Sequence, residues 1–217
     1  MTADDLVIYG AGGFAREVAW LVECVSATKP VRIVAFIDDN DERCGGEING
    51  IGVCSLAEVV TSHPNAGVVA AIGAPFAREE VTRKAGSVGL TPRTIVHPNV
   101  VLSRLIEVGE GTVICAGSIL TVNIKLGKYV QINLACTVGH DVTIGDYTTL
   151  APGVHISGRV ELGRGVYVGT GAAIVNGTEH RPLRIGDNAV VGAGACVVDD
   201  IPPGTVVVGV PARPIRL

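Results

Sequence analysis

Aromatic side chains are scarce, at 4% of 217 residues. Any core must therefore be filled by aliphatic groups. Positive charge is not in excess either. The formal net charge is −4, which leaves no electrostatic basis for binding nucleic acid or an anionic membrane surface. A run of about 18 uncharged apolar residues is missing, so no membrane span is expected. The start is acidic and polar through Asp5, without a basic segment ahead of an apolar one. That argues against a secretory leader. Six cysteines are dispersed at positions 24, 44, 54, 115, 136 and 196, with none of the paired spacing of metal sites or disulfide scaffolds. A reducing cytoplasm is the expected setting. The five histidines lack ligand-like clustering, so no metal is expected.

Glycine is abundant, with 29 residues, and much of it follows a six-residue period. Aliphatic residues recur at Val96, Leu102, Val108, Ile114, Leu120, Leu126, Ile132, Val138 and onward to Ile174, then resume at Ile185, Val191 and Val197. Small or aliphatic residues recur four places after each, as at Thr112, Ser118, Cys136, Thr148 and Ala172. Each unit thus sends two side chains inward. Neither a helix nor a flat amphipathic strand has this period. It fits a solenoid with three six-residue sides per coil. Glycine beside the aliphatic position suits a turn where a side chain would crowd or φ must be positive.

Before Val96 the pattern is different. Leu6 to Tyr9 reads as a buried strand, followed by Gly10-Ala11-Gly12-Gly13-Phe14-Ala15 and a helix over Arg16 to Val25. Val31 to Ile37 and Val68 to Ile72 read as further strands. Pro75 opens another helix, and Ile51 to Ser62 is expected to hold a connecting one. The result is a mixed chain: a small Rossmann-like βαβαβ domain over residues 1–92, then a β-helix over 93–217. The glycine turn permits close approach of an anion to unpaired helix amides. Asp38 and Asp39 end the second strand, where a carboxylate can meet a ribose or base. The unit is short for a whole dinucleotide, so phosphate or nucleotide binding is the functional reading and a structural tight turn the other.

The period breaks once. Ile174 and Ile185 are eleven apart, so about five residues must leave the coil as a loop. Loops on rigid scaffolds often carry binding groups. Arg181 and Arg184 are candidate phosphate contacts there, or ordinary solvated charges. His140 falls two places after Val138, where the pattern predicts an outward side chain, and Asp141 follows it. An imidazole can take a proton from an attacking amine, and a carboxylate can orient the ring. A surface His-Asp pair with no role is the other reading.

Taken together, these residues resemble the left-handed parallel β-helix acyltransferases with hexapeptide repeats. The Gly10–Glu17 start, the Asp38-Asp39-Asn40 strand end and the closing Val208-Gly209-Val210-Pro211-Ala212-Arg213 are similar to the sugar-acetylating subgroup. That subgroup includes nucleotide-sugar 4-amino N-acetyltransferases, such as those acting on GDP-perosamine, and sialic acid O-acetyltransferases. The resemblance implies acetyl-CoA as cosubstrate, a nucleotide-linked amino sugar as acceptor, a homotrimer, and a place in polysaccharide biosynthesis. It implies His140 as catalytic base with Asp141 as its partner. Gly10, Gly12, Gly13, Phe14, Asp38, Asp39 and Asn133 would contact the sugar nucleotide. His155, Gly158, Gly169, Arg181 and Arg184 would contact acetyl-CoA. O-acetylation of a sugar or sialic acid is the alternative within the same family, and a noncatalytic binding scaffold is the alternative outside it.

Overall fold

The computed structural model describes residues 4–26 and 30–215, which fall into two compact units, Met1–Pro98 and Asn99–Leu217. The first contains β1 (Asp4–Tyr9), α1 (Gly13–Ser26), β2 (Val31–Ile37), β3 (Glu47–Ile48), β4 (Ile51–Cys54), α2 (Leu56–Ser62), β5 (Gly67–Ala70), α3 (Pro75–Ser87) and β6 (Thr91–Pro92). The sheet order is β3-β4-β2-β1-β5-β6, parallel except for the β3–β4 hairpin. Val7, Tyr9, Ala35, Ile37, Val68 and Ala70 pack on one face against Val59 of α2 and Val81 and Ala85 of α3. The buried stripe of α1 is Val18, Leu21 and Val22, and this helix packs on β1 and β2. From β1 the chain steps one way to β2 and later the other way to β5. A crevice therefore opens past the carboxyl ends of β1 and β5.

Ile51 to Ser62 is not one connecting element. Ile51–Cys54 is a strand, and the helix begins only at Leu56. Asn49 and Gly50 both have positive φ, at 51° and 81°, and form the two-residue turn that pairs β3 with β4. Ser55 then caps α2, with Glu58 reaching back to it.

The second unit is a left-handed parallel β-helix. One sheet includes Val113–Ile114, Gln131–Ile132, Thr149–Leu150, Tyr167–Val168, Val190–Val191 and Val206–Val208, with Arg213–Pro214 added antiparallel. A second holds Val101–Leu102, Ile119–Leu120, Thr137–Val138, His155–Ile156, Ala173–Ile174 and Cys196–Val197. A third holds Ile106–Val108, Ile124–Leu126, Thr143–Ile144, Val160–Leu162 and Leu183–Ile185. Both inward series are buried: Ile114, Leu120, Ile132, Val138 and Leu150, and likewise Thr112, Ser118, Cys136 and Thr148. Leu102 and Val108 depart from the pattern, at 41% and 37% exposed. They lie on the edge strands of their sheets, with no coil of this unit beyond them.

The glycines directly after the aliphatic positions answer to crowding rather than to φ. A Cβ on Gly145 would lie 2.5 Å from the Gly163 carbonyl carbon, and one on Gly139 would lie 2.7 Å from the Gly158 nitrogen. Positive φ falls two residues later, at Tyr129, Asp141 and Tyr147.

Candidate active site

Three successive coils build the corner that carries His140. Asn123, Asp141 and Arg159 occupy equivalent corner positions, with φ of 55°, 57° and 57°. The Asp141 amide donates to the Val122 carbonyl, and the Arg159 amide donates to the His140 carbonyl. This left-handed backbone turns each side chain outward from the wall. His140 Nδ1 and Asp141 Oδ2 are 2.8 Å apart, and both side chains are nearly half exposed. An ionised carboxylate only accepts, so Nδ1 carries a proton, and in the neutral ring that leaves a lone pair on Nε2. Asn123 Nδ2 donates to the other oxygen, Oδ1, at 3.0 Å. Hydrogen bonds from His140 and then Asn123 hold the Asp141 carboxyl below its ordinary range. The imidazole lies over Gly158, where a Cβ would collide with the ring.

The other expected residues of this unit are spread out. His155 lies on a strand rather than at a corner, its Nδ1 2.8 Å from Thr137 Oγ1. Asn133 is buried in the wall, and its side chain donates to the Leu150 carbonyl at 2.8 Å. Gly169 is needed by the stack, since a Cβ there would lie 2.5 Å from the Ala193 nitrogen. Arg181 of the excursion pairs with Asp200 at 3.7 Å. Arg184 is not in the loop but on the strand Leu183–Ile185, where the chain has rejoined the wall, and it pairs with Glu161 at 2.9 Å. Both cations already face carboxylates. Among the described residues, no group of three His, Cys, Asp or Glu side chains is arranged to hold a metal ion.

In the first unit, a cavity of about 370 Å³ sits in the crevice past β1 and β5. The turn from Gly10 to Phe14 lines it, with Asp38, Asp39, Arg43 and Ile72. Gly10 has φ of 118°, and a Cβ there would lie 2.9 Å from the Ala71 carbonyl oxygen, so only glycine fits. Gly12 is different: a Cβ there would meet nothing within 4 Å. Packing does not require that glycine. A second hollow of about 460 Å³ flanks the same turn and adds Arg16 and Glu47.

The two aspartates are held differently. Asp38 accepts from the Asn40 amide at 2.9 Å and from Arg43 at 3.1 Å. Asp39 accepts from the Tyr9 hydroxyl at 2.6 Å and from Lys84 at 2.8 Å. Burial pushes the Asp39 carboxyl up, but the Lys84 and Tyr9 bonds outweigh it and leave it below the ordinary value. Burial, followed by the Asp39 bond, pushes the Tyr9 phenol up. Arg43, Lys84 and Asn123 escape a reading of the sequence. Each is a polar residue without a motif, and only the fold brings it to its partners.

A family model described as the PglD N-terminal domain matches residues 5–85. GDP-perosamine N-acetyltransferase of Escherichia coli O157:H7 is 32% identical over 214 residues, covering 96% of this chain and 95% of that protein. WeeI from Acinetobacter baumannii AYE superposes with a TM-score of 0.92 at 37% identity, over 99% of this chain and 100% of that one. PerB from Caulobacter crescentus, in complex with CoA and GDP-perosamine, superposes at 0.87 with 27% identity, over 99% of each chain. With its repeats, its N-terminal glycine turn and a relative matched along nearly its whole length, the chain belongs to the hexapeptide-repeat acyltransferase family of GDP-perosamine N-acetyltransferase.

Proposed function

We propose that this protein transfers the acetyl group of acetyl-CoA to the 4-amino group of a nucleotide-linked amino deoxysugar, with His140 as general base. Use of acetyl-CoA and of an aminated sugar nucleotide follows from the family. The observation that carries the assignment of the base is the Nδ1 tie to Asp141 at 2.8 Å, which leaves Nε2 as the proton acceptor. The neutral amine attacks the thioester carbonyl and forms the C–N bond, while its proton passes to Nε2. Collapse of the adduct breaks the C–S bond, and the departing thiolate recovers the proton. Asp141 stabilises the intervening imidazolium.

The glycine turn and the cavity beside Asp38 and Asp39 take the nucleotide part of the acceptor. The open space at Gly12 and the flanking Arg16 and Arg43 favour a phosphate there. Acetyl-CoA is assigned to the β-helix, with His155, Arg184 of the adjoining strand and Arg181 of the loop as its contacts. The assembly is a homotrimer. The outward column Val101, Ile119, Thr137, His155, Ala173 and Cys196 adjoins the His140 corner and carries no Asp, Glu, Lys or Arg, whereas the neighbouring sheet presents Glu107, Lys125, Glu161 and Arg184. Val101 and Ile119 are 61% and 44% exposed, as suits a face covered by another copy. Cytoplasmic synthesis of glycan precursors is the setting we assign.

The test is acetyl-CoA consumption against GDP-, UDP- and dTDP-linked 4-amino sugars, with product mass as readout. One acetyl on the amine of one of them supports the assignment and names the nucleotide. Acetylation of sialic acid or another hydroxyl acceptor alone overturns the amine assignment, and silence throughout overturns the enzymatic one.

A further inference from the structure

We infer that Asn123 is a positioning residue for the base: its amide locks the Asp141 carboxylate in the rotamer that holds the His140 ring by Nδ1. The inference rests on His140 being the base. Three observations carry it. Asn123 Nδ2 reaches Asp141 Oδ1 at 3.0 Å while Oδ2 of the same carboxylate meets His140 Nδ1 at 2.8 Å. The carboxylate is thus gripped at both oxygens, and the three side chains form a line running from one coil to the next. Asn123 and Asp141 also share the left-handed corner conformation one coil apart, and the Asp141 amide is tied to the Val122 carbonyl at 3.1 Å. Their side chains therefore leave the wall in a fixed relation. Lastly, both side chains lie at the surface, where an untethered aspartate would sample other rotamers and release the ring. An amide is the right group for this. It donates to the carboxylate without adding charge, so Asp141 stays an acceptor for the imidazole.

Asparagine also tolerates positive φ, so a purely backbone role must be separated from a side-chain one. Asn123→Gly makes that separation, because glycine keeps the turn and removes the amide. Asn123→Asp keeps a residue that tolerates the turn but aims a second carboxylate at Asp141. Each variant is assayed for kcat and KM, for molecular mass, and by 15N spectra of labelled histidine, with the His140 signals identified by their loss in His140→Gln. The expected result for Asn123→Gly is a fall in kcat of roughly tenfold, with KM for acetyl-CoA within twofold and mass unchanged. The His140 nitrogens should move from the pattern of one Nδ1–H tautomer toward an average of two. Asn123→Asp should lose at least as much. Full kcat in both variants overturns the inference, and so does a fallen kcat with an unchanged His140 tautomer. The nitrogen spectra need no substrate, so they decide the role of Asn123 even if no amino sugar is turned over and the proposed function fails.

Discussion

At the scale of the residue, the site depends on which groups are present and which are left out. His140 is exposed and packs into no core, so His140→Ala should fold and keep its affinity for acetyl-CoA while turnover falls about 10²- to 10⁴-fold. Steady-state kinetics beside a binding titration checks this, and unchanged turnover removes His140 from its role. Gly158 makes a sharper case, because the group a new Cβ would strike is the imidazole itself. A side chain can swing away where a backbone cannot. Gly158→Ala should therefore cost roughly a hundredfold in kcat through a misplaced ring, with a melting temperature within a few degrees of the parent. Of this corner, His140 and Asp141 are legible in the chain because an outward position is followed by an acid. Asn123 is not. Its partner lies 18 residues away, and nothing local marks the pairing until corners stack and left-handed φ sets the direction of both side chains.

At the scale of the element, the same substitution should do the opposite. A Cβ on Gly145 would meet the backbone of the next coil at Gly163 and Arg164, which cannot move without disturbing the sheet. Gly145→Ala should lower stability by roughly 1–3 kcal/mol, read by denaturant unfolding, and reduce kcat only in proportion to the folded protein lost. The six-residue period made both inward columns readable in advance, because burial is repeated at a fixed interval. The β3–β4 hairpin was less readable. Its apolar stretch runs straight into a helix, and the deciding signal is only the pair Asn49-Gly50. In the α/β unit, the strand end at Asp39 bears on acid stability. A carboxyl held low in the folded state adds stability above its unfolded pKa, about 3.9. That contribution is lost as pH falls through the lower folded value. The stability difference between the parent and Asp39→Asn should thus be full above about pH 5 and shrink steadily below about pH 4, as measured by unfolding midpoints across that range. A constant difference would show that Asp39 acts through something other than its charge.

At the scale of the whole molecule, the uncharged column beside the His140 corner sets the expected assembly. Light scattering should give three chain masses, and Ile119→Glu, in the middle of that column, should lower the mass without unfolding the coil. A single chain mass for the parent would leave the column without its assigned cover.

The break in the period has its own consequence. Across the excursion after Ile174, Val160 pairs with Leu183 and Leu162 with Ile185, just as earlier coils pair. Asp187 accepts from the Arg164 amide at 2.8 Å across 23 residues, the same clasp that Asp146 makes with Lys128 across 18. The wall holds the excursion at Gly177, whose amide donates to the Gly158 carbonyl, and takes the chain up again at Leu183. The stretch between them is a splice site in the architecture: a segment of another length or chemistry can be exchanged there while every downstream side chain keeps its address. One catalytic frame can in this way be refitted for new ligands by editing an appendage, without redrafting the coil.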